Sequence, residues 1–226
     1  MFLRSLLALL NFTTALALTV PPSDQLIRRE TLAEAAHNAR IIVKDVKTGT
    51  MASVFPEESD LAGRPFAMME YHAPCYSNGS LTIILMPISR STQNIFNDPG
   101  HHVAYTVSMP TEGIRSPMSR GRVALMGNVT TLRDISKDES RELSKCYTSY
   151  HPDSKYWLPG NEDSPHVSIW ARLDIDNIYY VGGFGDVHYI GPIPVDLYAK
   201  SDKSVINDYY FDKQTAWEDD LSQVVF

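Results

Sequence analysis

The residues best able to hold an anion lie between Met86 and Asn94, in the run MPISRSTQN. Leu81 to Met86 is almost continuously apolar, which predicts a strand buried on both faces, and Pro87 stops it. A short helix is expected from Ser89 to Asn97, closed by Asp98-Pro99-Gly100. Such a joint presents unpaired N–H groups and the positive end of a helix dipole. Ser89, Ser91 and Thr92 add hydroxyl donors and Arg90 adds charge, a set suited to phosphate. The same residues equally describe an ordinary cap at Ser89 with solvated neighbours. Arg64, between Gly63 and Pro65, can grip a phosphate with two N–H groups or pair with Glu57, Glu58 or Asp60. Trp170 and Arg172 share one face of a predicted strand. A ring for stacking and a guanidinium for an anion would serve a flavin or a substrate. An Arg172–Asp174 surface pair and a tryptophan in a subunit interface are the alternatives.

Other chemistries find less support. Gly182-Gly183-Phe184-Gly185 follows a strand but does not fit G-x-G-x-x-G, so turn or bulge geometry explains it better than a nucleotide loop. The chain has no G-x-S-x-G and no H-E-x-x-H. His101 and His102 are adjacent and point to opposite faces of a strand. His72 and Cys75 lack the second pair that a zinc site needs. His188 is a surface or core histidine before it is a haem ligand.

The chain has 226 residues, 43% of them hydrophobic, enough for a sizeable core in one domain. A net charge of -7 argues against nucleic-acid binding, which needs a basic footprint. Arg4, the apolar run from Ser5 to Leu18 and the small-x-small pattern Ala15-Leu16-Ala17 read as a signal peptide over residues 1–17. The run is broken by Asn11, Thr13 and Thr14 and falls short of the ~20 apolar residues of a spanning helix, and no later stretch spans a membrane. The expected route is therefore the secretory pathway, ending outside the cell or in a vacuole or lysosome. On that route Asn78-Gly79-Ser80 and Asn128-Val129-Thr130 become glycan acceptors. Cys75 and Cys146, the only cysteines, can then pair or stay as two buried thiols.

The elements that must position these residues follow from periodicity. Ser23 to Val43 predicts an amphipathic helix capped by Ser23 or Asp24. Strands are expected at 50–55, 65–71, 81–86, 103–109 and 121–132. Ser136, with Glu139 three residues on, opens a second inter-strand helix that His151-Pro152 ends. From His166 to Gly191 two alternating runs meet at Asp176-Asn177, which predicts a hairpin. A weakly helical segment with Tyr198 follows, and residues 199–226 form an acidic arm. The sum is a mainly β fold with accessory helices, a β-barrel of six or more strands behind an N-terminal amphipathic helix.

The order GRPFA, ISRSTQNIFNDPG, VAYTVSM, SRGRVALMGNVTTL, YTSYHPD and WARLDIDNIYYVGGFGDVHYIG resembles the CREG-type β-barrel proteins over about Ala33 to Tyr198. These are part of the pyridoxamine-phosphate-oxidase-like, FMN-binding split-barrel superfamily. The resemblance implies a split β-barrel domain, here residues 24–198, that usually works as a homodimer. It implies a secreted glycoprotein acting as a non-catalytic binding or interaction module, with a protein or small-molecule ligand and no cofactor. The alternative is an FMN-dependent oxidoreductase with flavin in a dimer cleft, which would make Ser89, Ser91, Thr92 and Asn94 cofactor-binding. Haem-handling relatives make haem a third expectation.

Overall fold

The computed structural model describes residues 28–113 and 116–201. The expected leader and nearly all of the acidic arm lie outside them, as do Ser23 and Asp24. Helix α1 (Leu32–Asp45) starts later than its periodicity predicts, because Thr31 is the cap: its hydroxyl accepts from the Glu34 N–H and the Glu34 carboxylate accepts from the Thr31 N–H. This reciprocal box fixes the first turn at Leu32. Ala35, Ala36, Ala39, Ile42 and Val43 form the buried face.

Seven strands follow: β1 (Thr48–Val54), β2 (Pro65–Tyr71), β3 (Leu81–Leu85), β4 (His102–Ser108), β5 (Arg122–Thr131), β6 (Ile169–Val181) and β7 (Ile190–Pro192). They are arranged β2-β1-β4-β5-β6-β3, with β7 also against β6, and every pairing is antiparallel. Helix α2 (Arg90–Asn97) joins β3 to β4, α3 (Lys137–Tyr150) joins β5 to β6, and α4 (Val195–Lys200) follows β7. The ladder's two end strands, β2 and β3, form no ladder with each other; the Ala73–Thr82 bridge just beyond β2 links them. The barrel is therefore split along a seam between them.

The expected hairpin at Asp176-Asn177 does not form. β6 is one continuous strand, and the register of its ladder with β5 jumps between Met126↔Asn177 and Gly127↔Ile175. Asp176 is the extra residue of a β-bulge, a role open to the same turn-forming residue types. The insertion reverses which positions face inward: Ala171 and Leu173 are buried before it, Ile178 and Tyr180 after it. Gly127 makes the jump possible, since a Cβ there would sit 1.9 Å from the Asp174 carbonyl oxygen.

Met51, Ile83, Leu85, Tyr105, Leu125, Leu173 and Tyr180 are among the residues filling the barrel. A second cluster, Ala73, Leu143, Tyr147 and Trp170, lies beneath α3. A disulfide between Cys75 and Cys146, with Cα atoms 5.9 Å apart, ties α3 to the segment entering β3.

His72 joins three elements in the interior. Its Nε2 donates to the Val43 carbonyl at 2.7 Å, and its Nδ1 lies 2.9 Å from the Tyr105 hydroxyl, which itself donates to the Glu70 carbonyl at 2.8 Å. Burial lowers its pKa from 6.5 to about 4. The unfolded chain therefore binds this proton at a higher pH than the fold does. Stability falls as pH drops from 6.5 to about 4 and levels off below, a loss of up to about 3 kcal/mol. Urea midpoints at about pH 7 and about pH 4.5 will show the loss, and His72→Gln, which keeps a donor for Val43, will shrink the difference between them. Gly127→Ala will lower the stability read from the urea transition by roughly 2 kcal/mol or more, because backbone lies where the methyl must go.

Candidate functional site

The seam opens into a cavity of about 240 Å³. β2 contributes Met69, Glu70 and Tyr71, and the end of β3 contributes Ile84 and Met86. Ser89 comes from the cap of α2, Tyr147 from α3, and Trp157 from the loop after the 3-10 turn at Pro152–Tyr156. A water-sized void of about 10 Å³ lies beside it, also lined by Glu70, Tyr71 and Ile84.

Glu70 is the charged group of this wall. Burial raises its pKa above the usual carboxylate range, and the Ser91 hydroxyl facing it offsets part of that shift. Tyr71 is fixed on both sides: its ring stacks on His151 at 4.1 Å and its hydroxyl donates to Asp153 Oδ2 at 3.0 Å. Asp153 raises the Tyr71 pKa through that bond. His151 in turn donates from Nε2 to the His72 carbonyl at 2.8 Å, and burial lowers its pKa. Tyr147 is 1% exposed, packs edge-on against Trp170 at 5.6 Å, and is pushed well above the usual phenol range by burial. Its hydroxyl has no hydrogen-bond partner among the described residues, and the residue lines the cavity.

Ser89 caps α2, accepting from the Thr92 N–H at 3.2 Å and donating to Thr92 Oγ1 at 2.9 Å. Ser91, Thr92 and Asn94 are buried at 4%, 1% and 1% exposure. Asn94 Nδ2 donates to Ser53 Oγ at 3.2 Å, and its Oδ1 is unpaired among the described residues. These donors face the barrel and one another. A phosphate brought to this helix end would meet Glu70 as well, so within one subunit the residues do not form an open cradle for the phosphate of FMN.

The other sequence candidates lie apart. Arg64 is exposed just before β2. Trp170 is 2% exposed under α3, with its Nε1 donating to Ser140 Oγ, so its ring supports Tyr147 and presents no open stacking face. Arg172 holds Asp174 through two hydrogen bonds, at 2.5 and 3.1 Å, and lies over the Tyr76 ring. Asn78 and Asn128 are both exposed.

The glycine run proves to be a latch. The Glu30 carboxylate, 6% exposed, accepts from Asn38 Nδ2, the Tyr180 hydroxyl and the Tyr189 N–H, and lies 3.5 Å from His188 Nδ1. A Cβ on Gly182 would come within 2.4 Å of Glu30 Oε2, and one on Gly183, at φ +155°, within 2.6 Å of His188. The two glycines admit the carboxylate and its histidine. No group of three metal-ligating side chains occurs among the described residues.

The pattern of the family described as "CREG, beta-barrel" matches residues 30–200. The chain belongs to the CREG β-barrel family. No match was found among curated protein sequences. Among solved structures this CREG barrel is similar to a haem-binding protein from Mycobacterium smegmatis, with TM-score 0.57 and 19% identity over 76% of this chain and 61% of that one. It is also similar to Atu2129, a protein of unknown function from Agrobacterium tumefaciens, with TM-score 0.54 and 19% identity over 73% of this chain and 60% of that one. Campylobacter jejuni ChuZ aligns with TM-score 0.52 and 12% identity over 70% of this chain and 61% of that one. The CREG barrel thus spans about three fifths of these neighbours' length, and the likeness is one of fold.

Sequence reasoning missed Glu70, Tyr71, Tyr147 and Trp157. Glu70 carried one signal, a lone charge in the apolar run PFAMMEY. Tyr147 and Trp157 reach the seam only through the packing of α3. Because folding raises the Glu70 pKa, the ionised form weakens the fold as pH climbs above 4.5. Glu70→Gln should therefore raise the urea midpoint at about pH 7 and approach the parent protein near pH 4.

Proposed function

We propose that the protein is a secreted, glycosylated CREG-type barrel that acts as a homodimeric binding module and does no catalysis. The observation that carries this reading is that most of the seam's polar side chains, the Tyr147 hydroxyl apart, are engaged with one another. Ser89 is held by Thr92, Asn94 by Ser53, Tyr71 by Asp153, and Ser91 faces Glu70. The disulfide and two exposed sequons support passage through an oxidising compartment. No helix among the described residues is long and apolar enough to cross a membrane.

Edge strand β2 supports the dimer. Met68 and Met69 lie on its opposite faces, yet are 54% and 64% exposed, and Val54 at the end of the neighbouring strand β1 is 53% exposed. Large apolar side chains clustered at an unpaired edge mark a contact surface. Light scattering should give twice the mass of the mature chain, and Met69→Glu should shift it to monomer without lowering its helix and strand content. Enzymatic deglycosylation should reduce the mass in two steps, one lost with Asn78→Gln and one with Asn128→Gln.

An FMN-dependent oxidoreductase is the alternative, supported by the superfamily's fold and by the possibility of a pocket shared between subunits. The visible spectrum of the protein purified from its own host decides between them. Colourless protein that leaves the spectrum of added FMN unchanged is the expected result. A stoichiometric flavin band would overturn the non-catalytic reading, and a Soret band would point to haem.

A further inference from the structure

We infer that the seam cavity takes a small organic cation, an ammonium group carried on an apolar or aromatic body. This rests on the binding-module reading and names the ligand class of that site. The cavity is large enough for a compact ring with a short side chain and lies just under the ~300 Å³ at which drug-sized pockets begin. Its wall is mostly soft and apolar: Met69, Met86 and Ile84, with the rings of Tyr71 and Trp157. Thioethers adapt to irregular apolar shapes, and aromatic faces attract cations.

Charge decides the class. Glu70 is the only ionisable acid or base of ordinary physiological charge in that lining, and no Lys or Arg shares the wall. It forms no ion pair among the described residues, its neighbour being the neutral Ser91 hydroxyl. A half-buried carboxylate with no cation beside it repels a phosphate and attracts an ammonium, and the apolar wall strengthens both effects. Tyr147 is the second observation. It is 1% exposed and lines the cavity, and its hydroxyl has no partner among the described residues. A ligand N–H or an ammonium proton would supply the missing contact, with the Tyr147 oxygen accepting. The Trp170 ring behind Tyr147 and the disulfide at Cys146, one residue before it, hold that oxygen in place before any ligand arrives. Asp153 lies farther out, fixing Tyr71, and adds to the negative field at the mouth.

The test compares three probes on the intact, glycosylated protein: 2-phenylethylamine, its neutral counterpart 2-phenylethanol, and phenyl phosphate. Binding is read by calorimetry and by tryptophan fluorescence, with Trp157→Phe identifying the reporter. The amine should bind at least about tenfold more tightly than the alcohol, and the phosphate should not bind measurably. Glu70→Gln should erase the preference for amine over alcohol while leaving the alcohol's affinity unchanged. Tyr147→Phe should weaken the amine severalfold. Equal binding of amine and alcohol, tighter binding of the phosphate, failure of all three probes, or a preference that survives Glu70→Gln would each overturn the inference. A colourless protein that ignores all three would end this inference and leave the binding-module reading standing. A protein that takes up FMN stoichiometrically would end that reading too.

Discussion

The pairing of β6 with β5 governs the rest of the molecule. β6 is a partner to β5 along its length, to β3 through its first half and to β7 at its end. One residue, Asp176, is left out of the ladder, and that omission turns the strand's inward side over. Before the bulge β6 is buried on both sides, by the barrel at Leu173 and by α3 at Trp170. Beyond it, Tyr180 reaches the Glu30 latch while Tyr179 stays exposed. Because β3 pairs with β6 and β2 pairs with β1, the sheet's two ends approach each other at 70–73 and 82–86 without zipping together. The seam, and with it the cavity, is a result of strand order.

Local patterns revealed much of this fold. Pro65–Tyr71 was visible as a strand to the residue, and Ser89 and Ser136 as caps, because an apolar run beside a proline or a hydroxyl beside a helix face is a short-range signal. The start of α1 is not legible from periodicity, because its apolar spacing extends upstream, whereas the Thr31–Glu34 box is what breaks the chain's direction. The bulge is not legible as such because Asp-Asn suits a turn and a bulge alike; the Gly127–Asp174 approach on the neighbouring strand separates them. At the seam, residue type singled out the start of α2, where Ser89 lines the cavity, but not where the neighbouring side chains aim. Ser91, Thr92 and Asn94 are hydroxyl and amide groups that the barrel uses internally, and Asn94 even leaves its Oδ1 without a partner among the described residues.

Buried polar groups set the fine arrangement. His72 draws α1, β4 and the end of β2 to one ring, and Glu30 draws the segment before α1, α1 itself and the β6–β7 turn to one carboxylate. Each is costly to leave half satisfied, so each selects one registration of its elements over alternatives of similar apolar burial. The glycine pair at 182–183 belongs to the same device. Its conformational freedom matters less than the space it leaves for Glu30 and His188.

Strand order also imposes a sequence in time. β3 is the third strand to be made, yet its ladder partner β6 begins roughly 90 residues later, on the order of ten seconds at ribosomal speed. Until then LTIIL is an apolar segment with open edges and no place to dock, the kind of stretch that recruits chaperones or seeds clumping. β1, β2, β4 and β5 can assemble as they emerge, so the nascent chain waits half-built with its most adhesive strand exposed. Yield in a heterologous host should therefore depend more on how quickly residues 169–173 follow than on the strength of any contact in the finished barrel.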